Sequence, residues 1–371
     1  MKVALASTGL GAVLRGFESF TESLFHALGR HVPSLDVMLF QGGGRSGERR
    51  VVVPNFRRAD FPARCFDALA ASHWEKRSFA LSLYPRLRLG GYDIVHYNEL
   101  TMGSALFHMR RVFGGTFKLL YCNGAPSPPI HYHHRCDFVQ TLTGPDLQLA
   151  RTFGMAESRL FQIPYGVDAD RFHPDRKRAR FAVRQELRIS QQAQVVLSVA
   201  AVKREHKRID YLIEETARLG PDVWLVVAGQ PTDETASLEL LAERSIPGRW
   251  RFISWPHDRM ADLYGAADIF VLCSLTEAFG LVTIEAMLSE LPVIIHDGPV
   301  FRWLAQGTSA QLIDMESSGR LAEALSDGFS NAKPVGPDVA LQMSRAAAKQ
   351  RFSWEALVPE YLTMYRKVLG S

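Results

Sequence analysis

The chain has 371 residues, a formal net charge of +4, and 47% hydrophobic against 22% charged residues. That length has room for two domains of about 150 residues each, and the balance is that of an ordinary globular protein. It holds no run of about 18 apolar residues, which excludes a helical membrane span, and its modest charge leaves nucleic acid out of the expected partners.

Cys65, Cys122, Cys136 and Cys273 lie far apart without a Cys-x-x-Cys pair. Neither a disulfide framework nor a thiolate zinc site is indicated, and a reducing cytoplasm is the expected setting. The start, Met1-Lys2-Val3-Ala4-Leu5-Ala6, is too short for a secretory apolar region and reads as a first buried strand, Lys2 to Ser7.

A glycine-rich turn, Thr8-Gly9-Leu10-Gly11-Ala12, leads through Arg15-Gly16-Phe17-Glu18 to a helix from about Ser19 to Gly29. Strand, glycine turn and helix in that order open a doubly wound sheet. A dinucleotide fingerprint is not met. Leu14 stands where its third glycine belongs, and the next strand (Leu35 to Phe40) ends in Gln41-Gly42-Gly43-Gly44, without the acid that holds an adenosine ribose.

Phe61 to Leu89 is helical in character, with Phe66, Leu69, Ala70, Trp74, Phe79, Leu83 and Leu87 among basic residues. Two readings apply: a surface helix with its apolar stripe packed inward, or a basic amphipathic segment in peripheral contact with an anionic membrane. The arginines at 45, 49, 50, 57 and 58, with Lys76, Arg77, Arg86 and Arg88, suit attraction of an anionic acceptor or membrane surface. Strands follow at Asp93 to His96, Phe117 to Cys122, Asp137 to Thr141 and Arg159 to Ile163, with helices at Met102 to Phe113 and Gly144 to Phe153.

Asn123-Gly124-Ala125-Pro126 falls at the carboxyl edge of this sheet, where open α/β folds place ligands. Beyond it, His131-Tyr132-His133-His134-Arg135-Cys136 holds no carboxylate, and its adjacent histidines are ill suited to chelate one ion. It reads as an aromatic, partly protonatable rim, with His131 as an acceptor-side candidate. Pro164, Gly166 and the charged run Asp175-Arg176-Lys177-Arg178 mark a boundary. The expected domains are residues 1–164 with 353–371, and 165–352.

The second half repeats the alternation, with strands expected at Val195 to Val199, Trp224 to Ala228, Trp250 to Ile253, Ile269 to Cys273, Val293 to His296 and Gln311 to Ile313. Each is near-continuously apolar, as a parallel sheet covered on both faces requires. After the first comes Val202-Lys203-Arg204-Glu205-His206-Lys207-Arg208, whose cations would oppose the dipole of the helix that follows unless an anion were bound. A diphosphate fits. Gly229 closes the next strand, and Trp255 or Pro256 the one after, where an apolar wall suits a nucleobase.

The most telling stretch runs from Phe270 to Ile295: a buried strand, a loop with Glu277, Ala278, Phe279 and Gly280, a short helix opening with Leu281 and Val282 and carrying Glu285, then Pro292 and a second apolar strand. A helix N-terminus behind a glycine attracts phosphate. Eight helical residues advance the axis by roughly 12 Å, beyond the ~5–9.5 Å of a glycosidase acid/base pair. The two glutamates therefore suit different parts of one long ligand, a sugar near Glu277 and a ribose near Glu285.

Thr-Glu-Ala-Phe-Gly-Leu, the Glu-x7-Glu spacing, Glu-Ala-Met and Leu-Pro-Val-Ile together resemble the retaining, nucleotide-sugar-dependent glycosyltransferases of family 4. The resemblance implies the GT-B fold: two Rossmann-like α/β domains facing across a cleft, a linker like Ile163-Pro164-Tyr165-Gly166-Val167-Asp168, and a terminal helix (Trp354 to Val368) crossing back to the first domain. It implies sugar transfer from a nucleoside diphosphate sugar to an acceptor hydroxyl on a glycan, a lipid-linked acceptor or a small molecule, with no cofactor. No Asp-x-Asp is read as a metal motif, so no divalent ion is expected. Lys207 matches the family's helix-start lysine. Ala201 stands near its post-strand arginine, leaving that role to Lys203 or Arg204. Asn123 occupies the place of the family's common histidine beside the reacting sugar, and Gly11 and Gly16 lie on the loop that borders its acceptor pocket. The competing readings are a sugar-nucleotide epimerase of the same fold and a sugar-nucleotide-binding subunit without catalysis.

Overall fold

A computed structural model of the chain describes all residues except 13–15, 59, 62–64, 66, 125–134, 332–337 and 371, and it leaves out the side chains of 176, 177 and 331. The chain forms two compact units, Met1–Gly166 with Trp354–Ser371, and Val167–Ser353.

The first unit contains β1 (Lys2–Ser7), α1 (Gly16–His31), β2 (Asp36–Gln41), β3 (Arg50–Val52), α2 (Ala68–Leu89), β4 (Ile94–Tyr97), α3 (Leu100–Phe113), β5 (Lys118–Asn123), β6 (Phe138–Thr141), α4 (Gly144–Thr152) and β7 (Leu160–Gln162). The second contains α5 (Arg180–Glu186), β8 (Gln194–Val199), α6 (Ile209–Thr216), β9 (Val223–Ala228), α7 (Thr235–Ser245), β10 (Trp250–Ile253), α8 (Met260–Ala266), β11 (Ile269–Leu272), α9 (Leu281–Leu288), β12 (Val293–His296), α10 (Pro299–Ala305), β13 (Gln311–Ile313), α11 (Arg320–Asn331) and α12 (Val339–Phe352). The last helix, α13 (Trp354–Leu369), belongs to the first unit.

Every ladder between these strands is parallel. The sheet orders are β3-β2-β1-β4-β5-β6-β7 and β10-β9-β8-β11-β12-β13. In each, the chain winds outward from a central strand in one direction and then returns to build in the other. The loops after β1 and β4, and after β8 and β11, therefore part at a switch point, where open α/β sheets hold ligands.

Two differences from the expected elements have local causes. α2 starts at Ala68, not Phe61, because Asp67 caps it, its carboxylate accepting the Ala70 N–H at 2.8 Å. The edge strand β3 was not expected, because three residues in an arginine-rich stretch carry no periodicity.

α13 is tied to the first sheet by buried polar contacts. Gln140 donates to the Tyr361 hydroxyl at 2.8 Å, Tyr361 donates to the Pro164 carbonyl at 3.0 Å, and His96 Nδ1 lies 2.9 Å from the Tyr365 hydroxyl. Burial pushes the His96 imidazole down to about 3, so it is neutral in this core. Gly166 is required here, since a Cβ would enter the Trp354 ring.

The second unit has an ionic core. Arg184, fully buried on α5, donates to Asp268 Oδ2 at 2.7 Å and to the carbonyls of Ala266, Gln191 and Ala193 at 2.8–2.9 Å. Asp268 also accepts from Arg180 at 2.6 Å and from the Val195 N–H at 2.7 Å. Asp268→Ala strands the buried guanidinium, and a loss of about 3–5 kcal/mol is expected. Urea unfolding at neutral pH reads it, with the half-exposed partner variant Arg180→Ala costing about 1 kcal/mol or less.

Candidate functional site

The β8–α6 and β11–α9 loops meet at the switch point of the second sheet, where β8 and β11 are neighbours. The first loop turns sharply. His206 (φ 67°) and Arg208 (φ 52°) both take left-handed backbone conformations that non-glycine residues rarely adopt. Between them, Lys207 is thrust toward the second loop, and its ammonium forms an ion pair with Glu277 Oε1. His206 Nε2 lies 3.9 Å from the same oxygen. Backbone strain concentrated around one lysine is a mark of functional loops.

The second loop ends at Gly280 (φ 86°), the N-cap of α9, and no side chain caps the helix. Helix geometry leaves the N–H groups of Leu281 and Val282 without an intrahelical acceptor, and the helix dipole adds partial positive charge there. Ser274 Oγ and Thr283 Oγ1, both buried in this loop and first turn, also lack a partner among the described residues. A lysine facing the uncapped start of a helix is the chemistry that suits an anion.

The neighbouring cations separate into two groups. Arg204 donates to Ser237 Oγ at 2.6 Å and sits 4.0 Å from both Asp210 and Glu234; Arg208 donates to the Met315 carbonyl at 2.6 Å and covers the Tyr211 ring. Lys203 makes no ion pair among the described residues. Of the two alternatives left open for the second cation, Arg204 is thus engaged by Ser237, Asp210 and Glu234.

Glu285 lies just over one turn into α9, half-buried, with its Oε2 accepting the Tyr264 hydroxyl at 2.8 Å. Burial pushes its carboxyl from 4.5 up to about 7, against the lowering effects of the Tyr264 hydrogen bond and of Arg171. Tyr264 reaches it from α8, its ring against Phe172 and Phe270. Among the remaining candidates, Ala278, Leu281 and Val282 are half-buried at the loop, whereas Phe279 is 3% exposed and packs on Trp303 and Phe352. Phe279 is a core residue, so its side chain is removed from the donor-contacting set.

Other expected site residues are set differently. A Cβ on Gly229 would strike the Ala200 carbonyl, so this glycine admits neighbouring backbone where a ligand was expected. Trp255 and Pro256 follow β10, two strand spacings (about 10 Å) across the sheet from β8; the Trp255 indole donates to the Arg259 carbonyl at 3.0 Å, and the Arg259 guanidinium covers its ring. Asp168-Ala169-Asp170, the chain's one Asp-x-Asp, is a turn in which Asp168 Oδ1 accepts the N–H groups of Asp170 and Arg171 at 3.1 Å.

In the first unit, Gly11 (φ 82°) is pressed onto Gly43, and a Cβ would collide with that carbonyl. The glycine loops after β1 and β2 are thus required by each other. Gly16 opens α1 with free space beside it. Asn123 is 2% exposed at the end of β5, with the Tyr121 hydroxyl 3.5 Å from its Oδ1, so the side chain points into the unit and away from solvent. His131 lies outside the described residues.

His206 and Tyr264 were not singled out from sequence. His206 stood inside the basic run and its backbone strain has no letter code, while Tyr264 reaches Glu285 only through the packing of α8 on α9.

Residues 179–350, nearly the whole second unit, match the family model described as Glycosyl transferases group 1. The fold is GT-B: sucrose-phosphate synthase from Thermosynechococcus elongatus superposes with a TM-score of 0.83 at 20% identity over 100% of this chain and 99% of that one. Anabaena HepE in complex with UDP and glucose superposes with a TM-score of 0.77 at 17% identity over 98% of this chain and 99% of its own. Mannosylfructose-phosphate synthase of Agrobacterium fabrum is 30% identical over 247 residues, 62% of this chain. The chain spans about half of that relative's length, 53%. Among the described residues, no helix is long and apolar enough to cross a membrane.

The Glu285 carboxyl predicts a pH effect. The folded chain holds that proton more tightly than the unfolded chain, so its contribution to stability falls as pH rises from about 4.5 to about 7. Glu285→Gln is expected to be more stable than the parent at pH 8, with the difference vanishing by pH 4, as thermal midpoints across that range would show.

Proposed function

We propose that the chain transfers a sugar from a nucleoside diphosphate sugar to an acceptor hydroxyl with retention at the anomeric carbon. The observation that carries this reading is the Lys207–Glu277 pair set against the open N-terminus of α9. The family match over residues 179–350 and a structural neighbour solved with UDP and glucose support it.

In the unliganded chain each member of the pair neutralises the other. An arriving diphosphate competes for Lys207 and takes the Leu281 and Val282 amides as further donors; Lys203 adds the second cation. Glu277, released, accepts hydroxyls of the donor sugar. Glu285 accepts from the ribose, exchanging the Tyr264 contact or using its other oxygen.

The anomeric carbon–oxygen bond breaks with its electron pair moving onto the diphosphate, whose charge the lysines and amides stabilise as it develops. The acceptor oxygen bonds to the same face of that carbon, and its proton passes to the departing diphosphate. Such front-side exchange needs no enzyme nucleophile, and the donor supplies the activated bond, so the reading calls on no cofactor. The acceptor is a glycan, a lipid-linked glycan or a small molecule.

A thermal-shift screen against UDP-, GDP- and ADP-sugars, followed by incubation with the labelled sugar nucleotide that binds, tests the proposal. Release of free sugar together with nucleoside diphosphate, or transfer to an added acceptor, is expected; an isomerised sugar nucleotide, or binding without turnover, refutes it. Glu277→Ala is expected to lower turnover by about 10²-fold or more while nucleoside diphosphate binds as well as in the parent, since Lys207 loses its competitor. Lys207→Ala is expected to weaken that binding roughly tenfold, read by calorimetry.

A further inference from the structure

The first unit carries a second polar concavity that the sugar-transfer reading does not use. It is a groove of about 530 Å³ between α2 and α3, within the size range of small-molecule sites. α2 presents His73 and Arg77 to it, four residues apart on one helix face, and α3 presents Thr101, Ser104 and His108 at matching spacing. Arg135 closes one side and donates to Ser104 Oγ at 2.9 Å.

Packing does not require these residues. The seam between the helices is already filled by Phe79, Ala80 and Leu83 from α2 and Leu106 from α3, all buried. Charge balance does not explain Arg77 either. No Asp or Glu lines the groove among the described residues, and Arg77 has no hydrogen bond or ion pair there. Even the ten residues before Arg135, which lie outside the described set, contain no acid and three histidines.

Two guanidinium groups, two imidazoles and two hydroxyls line the groove, and guanidinium forks match the oxygen edges of phosphate. Leu81 and Met109 line the same groove, which gives a carbon skeleton apolar surface beside the charge. We propose that this groove binds the phosphate group of a phosphate ester, either a soluble phosphorylated metabolite or a phospholipid headgroup. Every residue involved lies in the first unit, so the proposal stands or falls independently of the donor site.

The test titrates the full chain with glucose 6-phosphate by calorimetry and floats it with phosphatidylglycerol or phosphatidylcholine vesicles. Saturable binding of the sugar phosphate, or flotation with the anionic vesicles alone, is expected and identifies the source of the phosphate. Arg77→Glu is expected to weaken the positive interaction about tenfold or more, with Arg77→Gln showing a smaller loss, whereas Lys207→Ala leaves it within about twofold. Arg77 is exposed, and far-ultraviolet circular dichroism checks that each variant folds. Unchanged binding in Arg77→Glu, loss in Lys207→Ala alone, or no binding of either probe overturns the proposal.

Discussion

The candidate donor site depends on the reversal of strand order between β8 and β11. A parallel sheet aligns all its strand ends on one edge, but adjacent loops usually run off the same way and fill the space between them. Where the winding reverses, the loops diverge and leave a crevice. Lys207 arrives there from one side and Glu277 with the α9 amides from the other, so residues 70 positions apart become partners. The apolar strand sequences exist to hold that edge rigid, and the Arg184–Asp268 cluster fastens α5 to the start of β8 and to the residue preceding β11 from the far end of the same strands.

An unliganded anion site has its own electrostatic difficulty. A lysine beside a helix N-terminus repels the local dipole, and a half-buried carboxylate without a partner loses hydration. The Lys207–Glu277 pair relieves both, at the expense of two left-handed residues on either side of the lysine. In the proposed reading a diphosphate would relieve the lysine in turn, giving the arrangement a second satisfied state. The carboxylate is available to a sugar only in the liganded one.

The architecture was legible in the sequence because continuous apolar strands and glycine turns are local signals. The loop around Glu277 and Gly280 was legible for the same reason: strand, acid, glycine and helix follow one another within a dozen residues. What failed to show was whatever depends on which surface a side chain meets. Phe279 reads as part of a motif but is core, because its ring fits Trp303 and Phe352. Gly229 and Gly11 read as ligand glycines but answer to the backbone of Ala200 and Gly43. Arg204 and Lys203 are indistinguishable as letters, and only the acids on α6 and before α7 separate them.

The two units show how one fold, used twice, sets its glycine turns to different uses. Both have a glycine turn after a central strand and a helix beyond it. In the first, Gly11 spends its conformational freedom on packing against the loop after β2, and Gly43 returns a hydrogen bond to the Leu10 carbonyl at 3.0 Å. In the second, Gly280 turns the chain into α9 with a backbone conformation a Cβ would strain, and only the Leu304 side chain lies within 3.4 Å of where that Cβ would sit. The same residue type thus seals one turn and opens the other. The difference lies in the neighbouring strand's loop, Gly42-Gly43-Gly44 in one case and the cationic Lys203–Arg208 turn in the other, so the charge of the candidate site comes from the loop beside the glycine and not from the glycine itself.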